Sequence, residues 1–157
     1  MMTTDQNPNY SVDELILHRD GMSLLDEVVD YGDTWLKSRA TLTEDNLFLN
    51  KDMVPSWVGI EYMAQSVAAW AGTRSKIRSE PVKVGFLVGT RKYEAETPSF
   101  PLGSVLTIIV SEIIMGANGL GVFDCELTCE QPDGLSFVAS ARLNVFQPDD
   151  FREDFGE

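Results

Sequence analysis

Two strand-like runs, one long apolar helix and four further strand-like runs predict an α+β fold, an antiparallel sheet curled around a central helix. Three observations carry the prediction. From Met53 to Gly72 the chain reads MVPSWVGIEYMAQSVAAWAG, twenty residues in which Glu61 is the sole charge. Strand-like alternation brackets that stretch on both sides, so the periodicity changes once into the helix and once out of it. Turn-forming residues then punctuate the C-terminal half at the spacing of hairpins.

In chain order, residues 1–10 are polar and read as a flexible N-terminus. Runs 24–31 and 34–42 pair as strands about a Gly32-Asp33 turn. Pro55 suits the first turn of a helix that continues to about Lys76. Its line of Ala64, Ala68, Ala71 and Gly72 is small, so a sheet can wrap it closely. Strand-like runs follow at 82–97, 105–115, 119–131 and 135–146, separated by 98–103, 116–118 and the tight turn Pro132-Asp133-Gly134. This is the hotdog arrangement, spanning 11–147. The tail from Gln147 carries five acids against one Arg; it is expected to be solvated, with Phe151 and Phe155 free to dock in a groove. A curled sheet with long open edges pairs with a second one, so at least a homodimer is expected, with sites at the subunit interface.

A chain of 157 residues buries enough surface to stand as one domain. Its net charge of -13 argues against nucleic-acid or anionic-membrane binding, which need a basic face. Pro55, Ser56, Gly59, Glu61, Gln65 and Ser66 make the 53–72 stretch too polar for a lipid-facing span. The N-terminus has neither a basic nor an apolar export region. Cys125 and Cys129, with a single His in the chain, are too few ligands for zinc; they read as buried thiols on one strand face in a reducing cytosol.

Glu61 is the candidate for chemistry. An unpaired buried carboxylate costs several kcal/mol, and an apolar setting raises its pKa, which suits a general acid. The alternative is a carboxyl turned out to water or bonded to nearby backbone.

The segment PSWVGIEYMAQ, from Pro55 to Gln65, resembles the helix start of the bacterial 3-hydroxyacyl-acyl-carrier-protein dehydratases of the FabZ type, in which a catalytic acid follows the Pro by six residues and precedes Met-Ala-Gln. Leu17-His18-Arg19 is similar to that family's Pro-His-Arg element, and the run from Val84 to Lys92 is similar to its strand after the helix. The family's Gly-His-Phe-Pro loop, whose His takes the α-proton, is absent: the corresponding stretch is Asn46-Leu-Phe-Leu-Asn-Lys-Asp52. His18 is the chain's only histidine, and its context resembles the dehydratases of the aryl-polyene pathway, the ApeP type, which lack the loop His.

The resemblance implies dehydration of 3-hydroxyacyl thioesters on an acyl-carrier protein. His18 is then the base, unless it is a structural His, and Glu61 the acid, with no metal or nucleotide cofactor needed. Oxyanion donors are expected among backbone N–H groups near Val58 and Gly59 at the helix start, although Gly59 also suits plain packing. Gln65, one turn on, is placed to orient the carboxyl or bind a water. Trp57, Tyr62, Met63, Phe86 and Leu87 are candidate walls of an acyl tunnel, or else ordinary core.

Six basic residues, Arg74, Lys76, Arg78, Lys83, Arg91 and Lys92, lie between 74 and 92 with one acid, Glu80, leaving the window at +5. Such a patch suits docking of an acidic carrier protein; the alternative is a solvated helix end, which covers Arg74 to Arg78 but not Arg91 and Lys92. Two competing readings remain: a hotdog thioesterase that uses Glu61 on water or the thioester, and a non-catalytic subunit beside an active dehydratase. Acyl type, carrier protein against coenzyme A, and homodimer against heterodimer with another hotdog subunit stay open.

Overall fold

The computed structural model describes residues 8–16, 23–81 and 86–147. After a short helix α1 (Val12–Leu15) come β1 (Glu27–Tyr31), β2 (Trp35–Thr41) and β3 (Met53–Pro55). A 3-10 turn (Ser56–Val58) leads into the long helix α2 (Gly59–Ile77). Strands β4 (Phe86–Ala95), β5 (Ser99–Pro101), β6 (Val105–Met115), β7 (Leu120–Glu130) and β8 (Ser136–Phe146) complete the chain. Six strands form one antiparallel sheet in the order β1-β2-β6-β7-β8-β4, and β3 pairs with β5 in a separate two-stranded sheet. The α+β hotdog architecture predicted above is therefore the one observed.

The strands form where alternation demands it. On β7, Phe123, Cys125, Leu127 and Cys129 are buried while Asp124, Glu126 and Glu130 are exposed, so one face is sealed and the other wet. Registered neighbours continue the dry face: Leu36 pairs with Val110, Val110 with Cys125, and Cys125 with Ala141. Helix α2 packs on these strands, with the Trp70 ring edge-on to Phe123 at 5.2 Å and 66°. A buried hydroxyl pair pins helix to sheet: Ser38 and Ser66 lie 2.7 Å apart, and Ser66 donates to the Tyr62 carbonyl at 2.9 Å. With its one hydrogen so engaged, Ser66 must accept, which makes Ser38 the donor. Both cysteines are free and buried, as the sequence predicts.

Several boundaries differ from the expectations. Pro55 does not open the helix: it ends β3, opposite Ser99, and α2 proper begins at Gly59 after the 3-10 turn. A Pro carries no donor, so it sits well at the end of a two-stranded edge, and the next amide, Ser56, bonds the Pro98 carbonyl instead. The fourth strand is described from Phe86, and the 82–85 part of the expected run lies outside the described residues. Short elements α1, β3 and β5 carry too few residues for periodicity to register.

The small stripe serves another purpose than the one expected. Ala64, Ala68 and Ala71 stay half-buried along a groove, while Tyr62, Met63, Ser66 and Ala69 are the residues sealed in the interior. Gly72 instead admits the backbone of Leu15, which a Cβ would strike, and so lets α1 cross α2. Pro8 and Tyr10 are held, by the Tyr31 hydroxyl donating to the Pro8 carbonyl and by ring contact at 6.3 Å. The 148–157 tail lies outside the described residues. Among the described residues no helix is long and apolar enough to cross a membrane.

Candidate functional site

Glu61 sits in the first turn of α2, half-buried rather than sealed. Its helix stripe continues through Ala64, Ala68 and Ala71, and together they floor a hollow of about 320 Å³. Leu87 from β4, Phe123 from β7 and Val145 with Phe146 from β8 wall it. Small residues on the helix leave the volume, and the strand ends make its lining mostly apolar. Among the described residues the Glu61 carboxyl has no hydrogen-bond or ion-pair partner. The backbone-bonded alternative is therefore not seen among the described residues; Glu61 lines the groove and stays partly open to water.

Gln65 is buried at 2% exposure, and its side-chain oxygen accepts the Leu24 backbone N–H at 2.8 Å. This ties the chain entering β1 to the helix, one turn beyond Glu61. His18 lies outside the described residues.

The helix start is more occupied than expected. The Gly59 N–H donates to the Ser56 carbonyl within the 3-10 turn, and Val58 is buried. The Tyr93 hydroxyl donates to the same Ser56 carbonyl. It also fills the space in front of Gly59, where an added Cβ would meet it at 2.6 Å. Burial pushes the Tyr93 phenol up to about 12. Of the two uses weighed for Gly59, the packing one is what the described residues display.

The proposed walls separate. Tyr62 and Met63 are at most 1% exposed and belong to the core, while Leu87 lines the groove. Trp57 is 60% exposed, its ring edge-on to Phe48 at 6.1 Å, and Phe86 opens β4. Tyr62 also anchors the loop that lacks a histidine: Asn46 donates its Nδ2 to the Tyr62 hydroxyl at 2.9 Å and accepts the Phe48 N–H at 2.7 Å. Burial first, against the opposing Asn46 bond, pushes the Tyr62 phenol up to about 12.

The basic window divides between two hollows. Arg74 and Arg78 line one near the end of α2 together with Asp33, Glu80 and Glu112; there Arg74 is paired to Asp33 at 3.1 Å. Lys92 lines another with Arg142, Glu94, Asp124 and Glu126. Arg91 is exposed beside Arg142 in the register, and Lys76 is half-buried on the helix. Carboxylates accompany the cations in both places.

A sheet wrapped on one long helix, with a carboxyl in the helix's first turn beside a mostly apolar groove, defines a hotdog-fold protein. The sequence model of the ApeP-like family, described as ApeP dehydratase, matches residues 10–156, and the chain belongs to that family. A chain of the dehydratase heterocomplex ApeI:P from Xenorhabdus doucetiae is similar at 31% identity and a TM-score of 0.81, covering 92% of this chain and 95% of that one. A hypothetical thioesterase with coenzyme A from Streptococcus pneumoniae shares the fold at 16% identity and a TM-score of 0.58, over 77% and 84% of the two chains. The E. coli PaaI protein from the phenylacetic acid degradation operon does so at 16% and 0.56, over 76% and 80%. No curated protein matches.

Sequence reasoning missed Tyr93 and Asn46. The signal for Asn46 was the loop position itself. Tyr93 depends on a strand irregularity that composition does not announce.

Proposed function

We propose that this chain dehydrates 3-hydroxyacyl thioesters on an acyl-carrier protein to trans-2-enoyl thioesters, in aryl-polyene or related fatty-acid-like synthesis, paired with another hotdog subunit. The observation that carries the reading is Glu61: a carboxyl with no partner among the described residues, lining a mostly apolar groove. In the reaction the Cα–H bond breaks to a base and the carbon–oxygen bond to the hydroxyl breaks. A double bond forms between the two carbons, and the hydroxyl leaves as water with the proton Glu61 supplies. The base is assigned to His18. Leu24, six residues on in the sequence, is held by Gln65 one turn beyond Glu61.

Pairing is supported by the sheet's edges. β4 is an edge strand with Leu87 41% and Val88 61% exposed, whereas the β1 edge carries Glu27, ion-paired to Arg39, and Asp30. An edge whose first residues are apolar, with unspent N–H and C=O groups, favours a second strand, and likeness to a chain of a heterocomplex supports another hotdog subunit as its source. Arg91 and Lys92 on the same strand remain the docking candidates for an acidic carrier, with Arg74, Lys76 and Arg78 behind them.

One observation favours a second reading, a non-catalytic partner: the loop at Asn46 holds no base and is tied to Tyr62. The experiment is incubation of a 3-hydroxyacyl-carrier protein, and of the coenzyme A thioester, with this chain alone and with a hotdog partner. Loss of one water that His18→Ala abolishes supports the proposal. Turnover with the partner that survives both His18→Ala and Glu61→Gln assigns the chemistry to the partner. Release of free thiol indicates a thioesterase.

A further inference from the structure

Tyr93 reaches the helix start beside an irregularity in β4. Arg91 pairs with Arg142 and Glu94 with Ser140, so three steps on β4 span two on β8 and one residue is extra. Both partners lie on the outer face, since Ala139, Ala141 and Leu143 between and beside them are buried. In a regular strand Lys92 would face inward and Tyr93 outward. The bulge reverses that order: Lys92 takes a left-handed backbone at φ 56°, and Tyr93 turns in toward α2. A lysine in that conformation is held against its own preference, which marks the placement of Tyr93 as something the fold enforces.

Two donors then converge on one acceptor. The Gly59 N–H and the Tyr93 O–H both bond the Ser56 carbonyl, which has two lone pairs to offer. Gly59 is the residue that leaves room for the phenol. The turn leading into α2, which ends three residues ahead of Glu61, is thereby fastened to the edge strand.

We propose that Tyr93 is a positioning residue: through the Ser56 carbonyl it fixes the start of α2 and hence where the Glu61 carboxyl stands in the groove. This rests on the dehydratase reading for its effect on rate, but not for the contact itself.

The test uses the full chain, with its partner subunit where turnover requires one, and compares wild type, Tyr93→Phe, Gly59→Ala and the double variant. Tyr93→Phe is expected to lower kcat roughly tenfold or more with KM within about twofold, the scale on which a catalytic group misplaced by about an ångström shows. Hydrogen exchange at the Gly59 amide is expected to quicken while the middle of α2 keeps its protection. Gly59→Ala is expected to lower Tm by roughly 3 °C or more in the wild-type background and much less beside Tyr93→Phe, because the phenolic oxygen it would strike is gone. Unchanged Gly59 exchange in Tyr93→Phe, or equal Tm losses in both backgrounds, overturns the contact. Unchanged kcat with altered exchange overturns the positioning role. If wild type turns nothing over, the dehydratase reading fails, and exchange and Tm still decide whether Tyr93 holds the helix start.

Discussion

The side-chain oxygen of Gln65 accepts the backbone N–H of Leu24 at 2.8 Å, across 41 residues of chain and one helical turn beyond Glu61. Gln65 is 2% exposed and its bond to Leu24 part-buried, and the bond joins the chain entering β1 to the helix that carries the candidate acid. Gln65→Met keeps the length of the side chain and removes the acceptor. The expected loss is about 1–3 kcal/mol of stability, the penalty for stranding a buried amide, read from urea unfolding midpoints. A loss within experimental error would show that Leu24 finds another acceptor.

Ser38 and Ser66 form a chain of two hydroxyls that ends on the Tyr62 carbonyl. Ser66→Ala leaves Ser38, at 0% exposure, without its acceptor, and is expected to cost about 1–3 kcal/mol. Ser38→Ala removes a donor only and leaves Ser66 bonded to Tyr62, so it should cost less. The double variant should cost clearly less than the two losses together, which a double-mutant cycle measures directly. Additive losses would mean that the pair does not act as a unit.

Stability should fall at alkaline pH in a defined window. Tyr62 and Tyr93 are both pushed up to about 12 by burial, against an unfolded value near 10. Below about pH 10 both states keep the phenolic protons, and the contribution is fully present. Between about pH 10 and 12 the unfolded chain releases them and the folded chain does not, so stability drops as pH rises. Cys125, also pushed up to about 12, first by burial and then by Asp124, extends the fall downward to about pH 9. Unfolding midpoints between about pH 8 and 12 should decline across that window, and less steeply in Tyr62→Phe. Flat midpoints would contradict the buried state of these groups.

The fold was legible because long elements announce themselves: one apolar helix and strands of ten or eleven residues with clean alternation leave few arrangements open. Elements of three or four residues were not legible, and Pro55 was assigned to the helix because its strand partner lies some 44 positions away at Ser99. Glu61 stood out as a lone charge in an apolar run, yet the sequence could not tell that Ala64, Ala68 and Ala71 open a groove beside it rather than admit the sheet. Gln65 was noticed for its spacing, but its partner, a backbone amide in a different element, has no signature. Tyr93 was invisible because one extra residue in β4 reverses which side chains face inward, and a bulge at a lysine carries none of the glycine or proline that marks irregular backbone.

In the dehydratase proposal the Glu61 carboxyl, which has no partner among the described residues of its groove, supplies the proton that carries the hydroxyl away. The most direct measurement is mass spectrometry of a 3-hydroxyacyl-carrier protein incubated with wild type and with Glu61→Gln, each with the hotdog partner present. Glu61→Gln keeps the shape of the side chain and cannot give a proton. The account predicts loss of one water with wild type, and a rate reduced by a factor of roughly 100 or more in a variant that melts at the wild-type temperature. Dehydration by Glu61→Gln at the wild-type rate would contradict it.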